Sequence, residues 1–422
     1  MEEVRDIQIR DYEDWDYGGK RVLLRLDINS PIDPKTKRIK DRTRLTASLP
    51  TLERLLAQGA KVAIIAHQGD TLDYQNLISL EEHAEILDQE LDYKITYIDD
   101  VCGPAALEAV EALEPGQAVI LGNLRYLTEE VSHFEKVVPL TPEQMAETRL
   151  VRKLAPLFDC YVNDAFAAAH RACPSMIGFQ EVLPSAAGEL FFREVSVLTK
   201  VLQKPDRPSL FILGGAKISD AFGMMEQVLA KGTADKILTS GVTGVVFLLA
   251  SGIKVGETYE QWLKERQFDA FIPMAKDFLE RFPDRICMPV DLAYEGDGER
   301  REIKVEDLPH DAGSFLDIGA GTLKLYADEI ARAGTMFING PAGVYENELF
   351  EDGTRAIWEA VAASDGYSVI GGGDSVSAAG KYIDLDDISY VCTAGGAMVR
   401  FMTGETLPLV AAMEKALARE TK

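Results

Sequence analysis

The sequence predicts an α/β protein of two units, each built on a parallel sheet with helices on both faces, joined by a long helix. Three observations predict this. Short runs that are apolar throughout alternate with helical patterns, as in a parallel sheet buried on both faces. At 422 residues the chain is too long for one ordinary core and suits two or three. An unbroken helical stretch over residues 185–202, followed by Lys204-Pro205 and Arg207-Pro208, separates two series of strands and reads as the connector between domains.

In the first series, residues 22–26 (VLLRL) form a strand that stops at Asp27-Ile28-Asn29. Residues 45–56 are helical and closed by Gly59. Residues 61–66 (KVAIIA) are the next strand, ending at His67-Gln68-Gly69. A helix over 80–91, a strand over 94–98, a helix over 104–113 and a strand over 118–121 follow. Residues 145–157 read as one helix, and the strand at 160–162 runs into Asn163-Asp164-Ala165-Phe166. Ligands of such sheets sit beyond the carboxyl ends of the strands, where these polar residues collect.

The second series restarts the alternation with a different chemistry at the strand ends. Residues 209–213 lead into Gly214-Gly215-Ala216-Lys217, and residues 236–239 into Ser240-Gly241. Residues 286–290 lead into Asp291, and 335–338 into Asn339-Gly340-Pro341. Residues 369–370 lead into Gly371-Gly372-Gly373, and 388–391 into Thr393-Ala394-Gly395-Gly396. Glycine and lysine in this half, against arginine, histidine and carboxylate in the first, predict two different ligands.

Composition narrows the classes. Hydrophobic residues at 46 % and charged ones at 27 % are a globular balance. The net charge of 44 − 69 = −25 excludes nonspecific nucleic-acid binding through a basic surface, and it makes any local cluster of arginines informative. No apolar run approaches the ~20 residues that span a bilayer. The opening Met1-Glu2-Glu3-Val4-Arg5-Asp6 is polar and acidic, so no signal peptide is expected. Cys102, Cys160, Cys173, Cys287 and Cys392 are odd in number and scattered, as reduced buried thiols in the cytoplasm would be.

The stretch YSVIGGGDSV, residues 367–376, is the clearest anion-site candidate. Strand, glycine turn and helix N-terminus present free backbone N–H groups and a positive dipole end to a phosphate. Ser375 fits an N-cap, and Asp374 offers a hard oxygen to a Mg²⁺ riding on that phosphate. The same pattern also makes a plain structural turn. It is not a Walker A loop, because Ser375 stands where Gly380-Lys381 would need a glycine and Tyr382 where it would need Ser or Thr. No GxGxxG opens the first unit, which excludes the usual dehydrogenase fingerprint.

In the first half Arg25, Asp27, Asn29, Arg44, His67, Arg125, His170 and Arg171 lie near predicted strand ends. Arginine forks pair bidentately with carboxylate or phosphate. Singly each arginine reads as a surface ion pair and each histidine as a satisfied core group; together they suit an anionic small substrate. Lys217, after a glycine turn, is either a solvated charge or an ammonium that travels with a moving phosphoryl group.

RLDINSPID, TRLTASLPTL, HQG, NLRY, YVNDAFAAAHR, LGGAK, FINGPAGVYE, GGGDS and TAGG occur in this order along nearly the whole chain. In this the chain resembles the phosphoglycerate kinases, most of all their archaeal branch. The resemblance implies two doubly wound (Rossmann-like) domains joined by a hinge helix. Residues 1–184, with 405–422 returning, would hold 3-phosphoglycerate, and 185–404 would hold Mg-ADP or Mg-ATP. It further implies that Asp27, Asn29, Arg44 and His67 hold the glycerate and carboxylate end, while Arg125 and Arg171 clamp the substrate's phosphate. Gly215, Ala216, Lys217, Gly241, Asn339, Pro341, Val344, Glu346, Gly372, Gly373, Asp374 and Ser375 would form the nucleotide site, with Glu346 on the ribose and Asp374 on Mg²⁺. Lys217 and Arg44 would stabilise the phosphoryl in flight. The expected protein is a cytoplasmic, monomeric kinase of glycolysis and gluconeogenesis.

The chemistry agrees with the residue types. A carboxylate acceptor is already ionised, so attack on a γ-phosphoryl needs no general base, only positioning and charge neutralisation. Some positions depart from the family. Asp70 stands in HQGD where the family has an arginine that helps clamp the substrate's phosphate; either another basic group answers that carboxylate, Arg42 being a candidate, or the acceptor differs from 3-phosphoglycerate. Gly122 replaces a usual glutamate, Ala394 and Met398 interrupt a glycine-rich loop, and Thr243 falls in a normally more apolar segment. Two alternatives stand beside the main reading: a paralogue that phosphorylates another small carboxylate, and a catalytically retired nucleotide binder. Retention of Lys217, Arg44, Asp374 and Glu346 together argues against the second.

Overall fold

The computed structural model describes residues 7–70, 72–73, 75–311 and 313–420. The opening Met1–Asp6, expected to carry no targeting segment, lies outside the described residues. The chain divides into two compact units, Met1–Ser196 with Thr406–Lys422, and Val197–Glu405.

The first unit is built on six parallel strands, β1 (Arg21–Arg25), β2 (Lys61–Ile65), β3 (Ile95–Tyr97), β4 (Ala118–Ile120), β5 (Cys160–Asn163) and β6 (Ser185–Ala187). Their order across the sheet is β3-β4-β2-β1-β5-β6. Successive side chains leave a strand on opposite faces, so the apolar run of β1 feeds two cores. Val22 and Leu24 pack with Val62, Ile64 and Val162 on one side. Leu23 packs with Ala63, Val119 and Tyr161 on the other. The helix Pro408–Glu420 belongs to this unit, where Leu409 N donates to Ala169 O at 3.2 Å and Arg419 pairs with Glu181 at 2.6 Å.

The second unit repeats the scheme with β7 (Ser209–Leu213), β8 (Lys236–Thr239) and β9 (Ile286–Cys287). A small antiparallel sheet of β10 (Asp291–Gly296), β11 (Glu299–Lys304) and β12 (Phe315–Ile318) follows, ordered β11-β10-β12. Then come β13 (Thr335–Asn339), β14 (Tyr367–Ile370) and β15 (Tyr390–Val391), and the parallel order is β15-β14-β13-β7-β8-β9. In both sheets the first strand, β1 or β7, lies centrally, and the chain later returns to its other side, with β5 or β13. That junction is the switch point at which α/β sheets bind ligands.

Two expected helices are corrected. Residues 145–157 split into helices Pro142–Ala146 and Arg149–Leu154 and a 3-10 turn, Ala155–Leu157. The break falls at Thr148, whose backbone is extended (ψ 157°) and whose hydroxyl donates to Met145 O at 2.7 Å, a local bond that competes with the helix. Residues 185–202 are not one helix either. Ser185–Ala187 pairs with β5 as an edge strand, and the helix begins only at Glu189. The strand expected at 286–290 also stops early, at Cys287, ahead of Pro289.

Candidate active site

In the first unit the polar strand ends are drawn together by buried hydrogen bonds. Gln68, beyond β2, accepts from Ser30 N at 2.8 Å and donates to Ser30 O at 2.9 Å. Asn123, beyond β4, accepts from Gln68 N at 3.2 Å and from Arg125 N at 3.0 Å, and donates to Gln68 O at 2.8 Å. Asn29 accepts from Gly69 N at 3.0 Å. The loops after β1, β2 and β4 are thereby one cross-linked surface.

The charged side chains stand on that surface. Arg44, near the start of the helix Thr43–Ala57, donates to Asp27 at 2.8 Å. Arg25 is buried at the end of β1 and reaches His67 Nδ1 at 2.9 Å. A guanidinium only donates, so Nδ1 is the acceptor and the imidazole carries its proton on Nε2. Burial first, and then the positive charges of Arg125, Arg25, Arg171 and Arg44, push the His67 pKa well below its ordinary value. His67 is therefore neutral, with the charges of four arginines acting on it and Arg25 in contact. Arg125 is itself held below the usual arginine value by burial and then by Arg171. It donates to Gly69 O at 3.2 Å and to Glu130 O.

Asp70 is not answered by Arg42, which reaches Glu90 at 3.6 Å instead. Its carboxylate accepts from Ser132 Oγ at 2.5 Å and lies 3.9 Å from Arg125 Nε. Arg171 donates through Nε to Glu135 at 2.5 Å. Neither Ser132 nor Glu135 was singled out from sequence, since nothing near them announces a partner 62 or 36 positions away.

In the second unit the glycines mark a close crossing at the switch point. Gly214 N donates to Asn339 O at 3.0 Å and Gly215 N to Pro341 O at 2.8 Å. A Cβ on Gly340 (φ +90°) would lie 2.2 Å from Gly214 O, so no larger residue fits that backbone. Around the crossing lies a cavity of about 520 Å³, walled by Gly215, Ala216, Lys217, Gly241, Asn339, Pro341, Val344, Glu346, Gly372, Asp374 and Ser375. Gly373 is not among its wall residues. Three helices, Ile218–Ala230, Gly241–Ala250 and Gly373–Tyr382, begin at this rim and offer N-terminal N–H groups to an anion.

Ser375 is not the N-cap. Gly372, at φ +90°, turns the chain sharply enough that the helix starts at Gly373, and Ser375 lies inside it. Its hydroxyl accepts from Gly340 N at 2.7 Å and ties the glycine turn to β13. Lys217 Nζ lies 2.9 Å from Asp374, both side chains well exposed. Part of the wall is aromatic: Tyr259 stacks on Trp262 at 5.2 Å and meets Phe315 edge-on at 5.5 Å. Tyr259 and Trp262, spaced i and i+3 on the helix Glu257–Glu265, share one face. Neither residue was singled out from sequence, although that spacing is a signal that finds them.

Comparison with known proteins agrees with this geometry. The family model described as phosphoglycerate kinase matches residues 12–405. A phosphoglycerate kinase of Methanothermus fervidus is 43 % identical over 97 % of this chain and 98 % of its own length. One from Natronomonas pharaonis is 42 % identical over 96 % of this chain and all of its own. The crystal structure of the phosphoglycerate kinase from Pyrococcus horikoshii superposes with a TM-score of 0.84 at 36 % identity, covering 97 % of this chain and 100 % of that one. Two six-stranded parallel sheets, the arginine field around His67 and the glycine crossing beside Lys217 are thus found in a chain that belongs to the phosphoglycerate kinase family.

Proposed function

We propose that the chain reversibly transfers the γ-phosphoryl of ATP to the carboxylate of 3-phosphoglycerate, giving 1,3-bisphosphoglycerate and ADP. In this reading it is a cytoplasmic monomer of glycolysis and gluconeogenesis. The observation that carries it is the arginine field at His67. Arg25 and Arg125 are buried there, and positive charge gathered in one place attracts anions, of which a substrate with a carboxylate and a phosphate supplies two. Arg44, Asn29, Asp27 and the Nε2–H of neutral His67 would take the glycerate end, and Arg125 and Arg171 the phosphate. The second unit would hold the nucleotide, its phosphates on the helix N-termini and its base against the aromatic wall.

Mg²⁺ would enter with the nucleotide. Among the described residues no cluster of three ligating side chains exists, which suits an ion held by one carboxylate and substrate phosphates rather than by an all-protein cage. Asp374, well exposed at the first turn of its helix, fits that part. The ion, when bound, neutralises phosphate charge. Lys217 and Arg44 would neutralise the phosphoryl as it moves, and no residue need abstract a proton from an ionised acceptor. A coupled assay of ADP release with Mg-ATP tests the reading. Turnover that depends on 3-phosphoglycerate is expected; phosphorylation of another small carboxylate without activity on 3-phosphoglycerate would overturn it.

A further inference from the structure

The short helix Ser132–Val137 buries none of its residues, and Val137 is 64 % exposed. Apolar packing therefore does little to hold it. Two polar latches fasten it instead, and both end on the phosphate clamp. Ser132 Oγ donates to Asp70 at 2.5 Å, beside Arg125. Glu135 accepts from Arg171 Nε at 2.5 Å with one oxygen and from Ala172 N at 2.6 Å with the other. Arg171 Nη2 is buried without a hydrogen-bond partner. An unsatisfied buried donor is destabilising, more so when charged. Arg171 is thus only part-answered while Glu135 holds it.

We infer that Glu135 is a specificity-determining residue, an internal carboxylate that occupies Arg171 in place of the substrate's phosphate and must be displaced by it. This rests on the proposed role of Arg171 as a phosphate clamp. A phosphate dianion carries more charge than the carboxylate and has oxygens enough for both Nε and the unpartnered Nη2. A ligand that lacks the phosphate gains nothing from Arg171 that Glu135 does not already supply. Displacement therefore costs a phosphorylated acceptor affinity through the fraction of molecules in which the latch is closed, whereas an acceptor without the phosphate leaves the latch in place and is unaffected. Asp70 and Ser132 anchor the other end of the same helix, which accounts for a carboxylate beside a phosphate site.

Calorimetry on the full chain tests this with 3-phosphoglycerate and, separately, glycerate. Glu135→Gln keeps the shape and removes the charge, and it should tighten 3-phosphoglycerate about five-fold as the latch-closed fraction falls. Glycerate affinity should not change. Arg171→Ala should weaken 3-phosphoglycerate, and adding Glu135→Gln to it should then have no effect. A purely structural Glu135 would give weaker binding in Glu135→Gln. Equal or weaker binding in that variant, or tightening that persists without Arg171, overturns the inference. Unchanged affinity in Arg171→Ala alone overturns the clamp reading beneath it.

Discussion

The ammonium of Lys217 lies 2.9 Å from a carboxylate oxygen of Asp374, across 157 positions of sequence. The pair is exposed at the rim of the glycine-walled cavity. Exposed pairs contribute about 0–1 kcal/mol, so either partner is readily drawn to an incoming phosphate. Lys217→Ala should therefore lower kcat by about 10²–10³-fold, as for loss of a group that meets transition-state charge. Its Mg-ADP affinity should fall by less than about ten-fold. Steady-state kinetics beside ADP calorimetry separates the two. A raised KM for ATP with kcat unchanged would make Lys217 a ground-state binder.

Asp70 places negative charge 3.9 Å from Arg125. Asp70→Asn removes that charge while leaving an oxygen to accept from Ser132. KM for 3-phosphoglycerate should then fall about two- to five-fold, the effect of relieving one partly exposed carboxylate. A raised KM would mean that Asp70 itself contacts the substrate, through a hydroxyl rather than its phosphate.

His83 supplies a prediction about pH. Burial lowers its pKa to about 4, with Nε2 3.1 Å from Gln68 Oε1. The unfolded chain binds this proton near pH 6.5, so the contribution of His83 to stability is full above that value. It is lost as pH falls towards 4, by on the order of 3 kcal/mol. Asp164 and Asp317, raised by burial to about 7 and about 6, act in the opposite sense, losing stability as pH rises through those values. A melting curve would mix these contributions. The clean observable is the imidazole resonance of His83, which should remain neutral down to about pH 4; titration near 6.5 would contradict the burial.

The parallel strands were legible because each is an apolar run bounded by polar or glycine residues. β6 was not, because Ala186 and Ala187 are good helix formers and Ser185–Ala187 becomes a strand only by pairing with β5. The antiparallel sheet was missed because β11 reads ERREIK, with one apolar residue in six. Its turn was missed too, although Asp297-Gly298 is an Asp-Gly hairpin signal, and both residues have the positive φ (57° and 80°) that such a two-residue turn requires. Around the first sheet, the polar strand ends were legible as motifs, whereas Ser132 and Glu135 bond to residues on loops far along the chain. Only the folded sheet brings those loops together.

The central claim, that this chain makes an acyl phosphate from 3-phosphoglycerate, is tested most directly on the product. Hydroxylamine converts an acyl phosphate into a hydroxamate. With Mg-ATP, 3-phosphoglycerate and hydroxylamine, the account predicts hydroxamate formed in step with ADP, and neither without the acceptor. ADP released with no hydroxamate, or at the same rate without 3-phosphoglycerate, would contradict it.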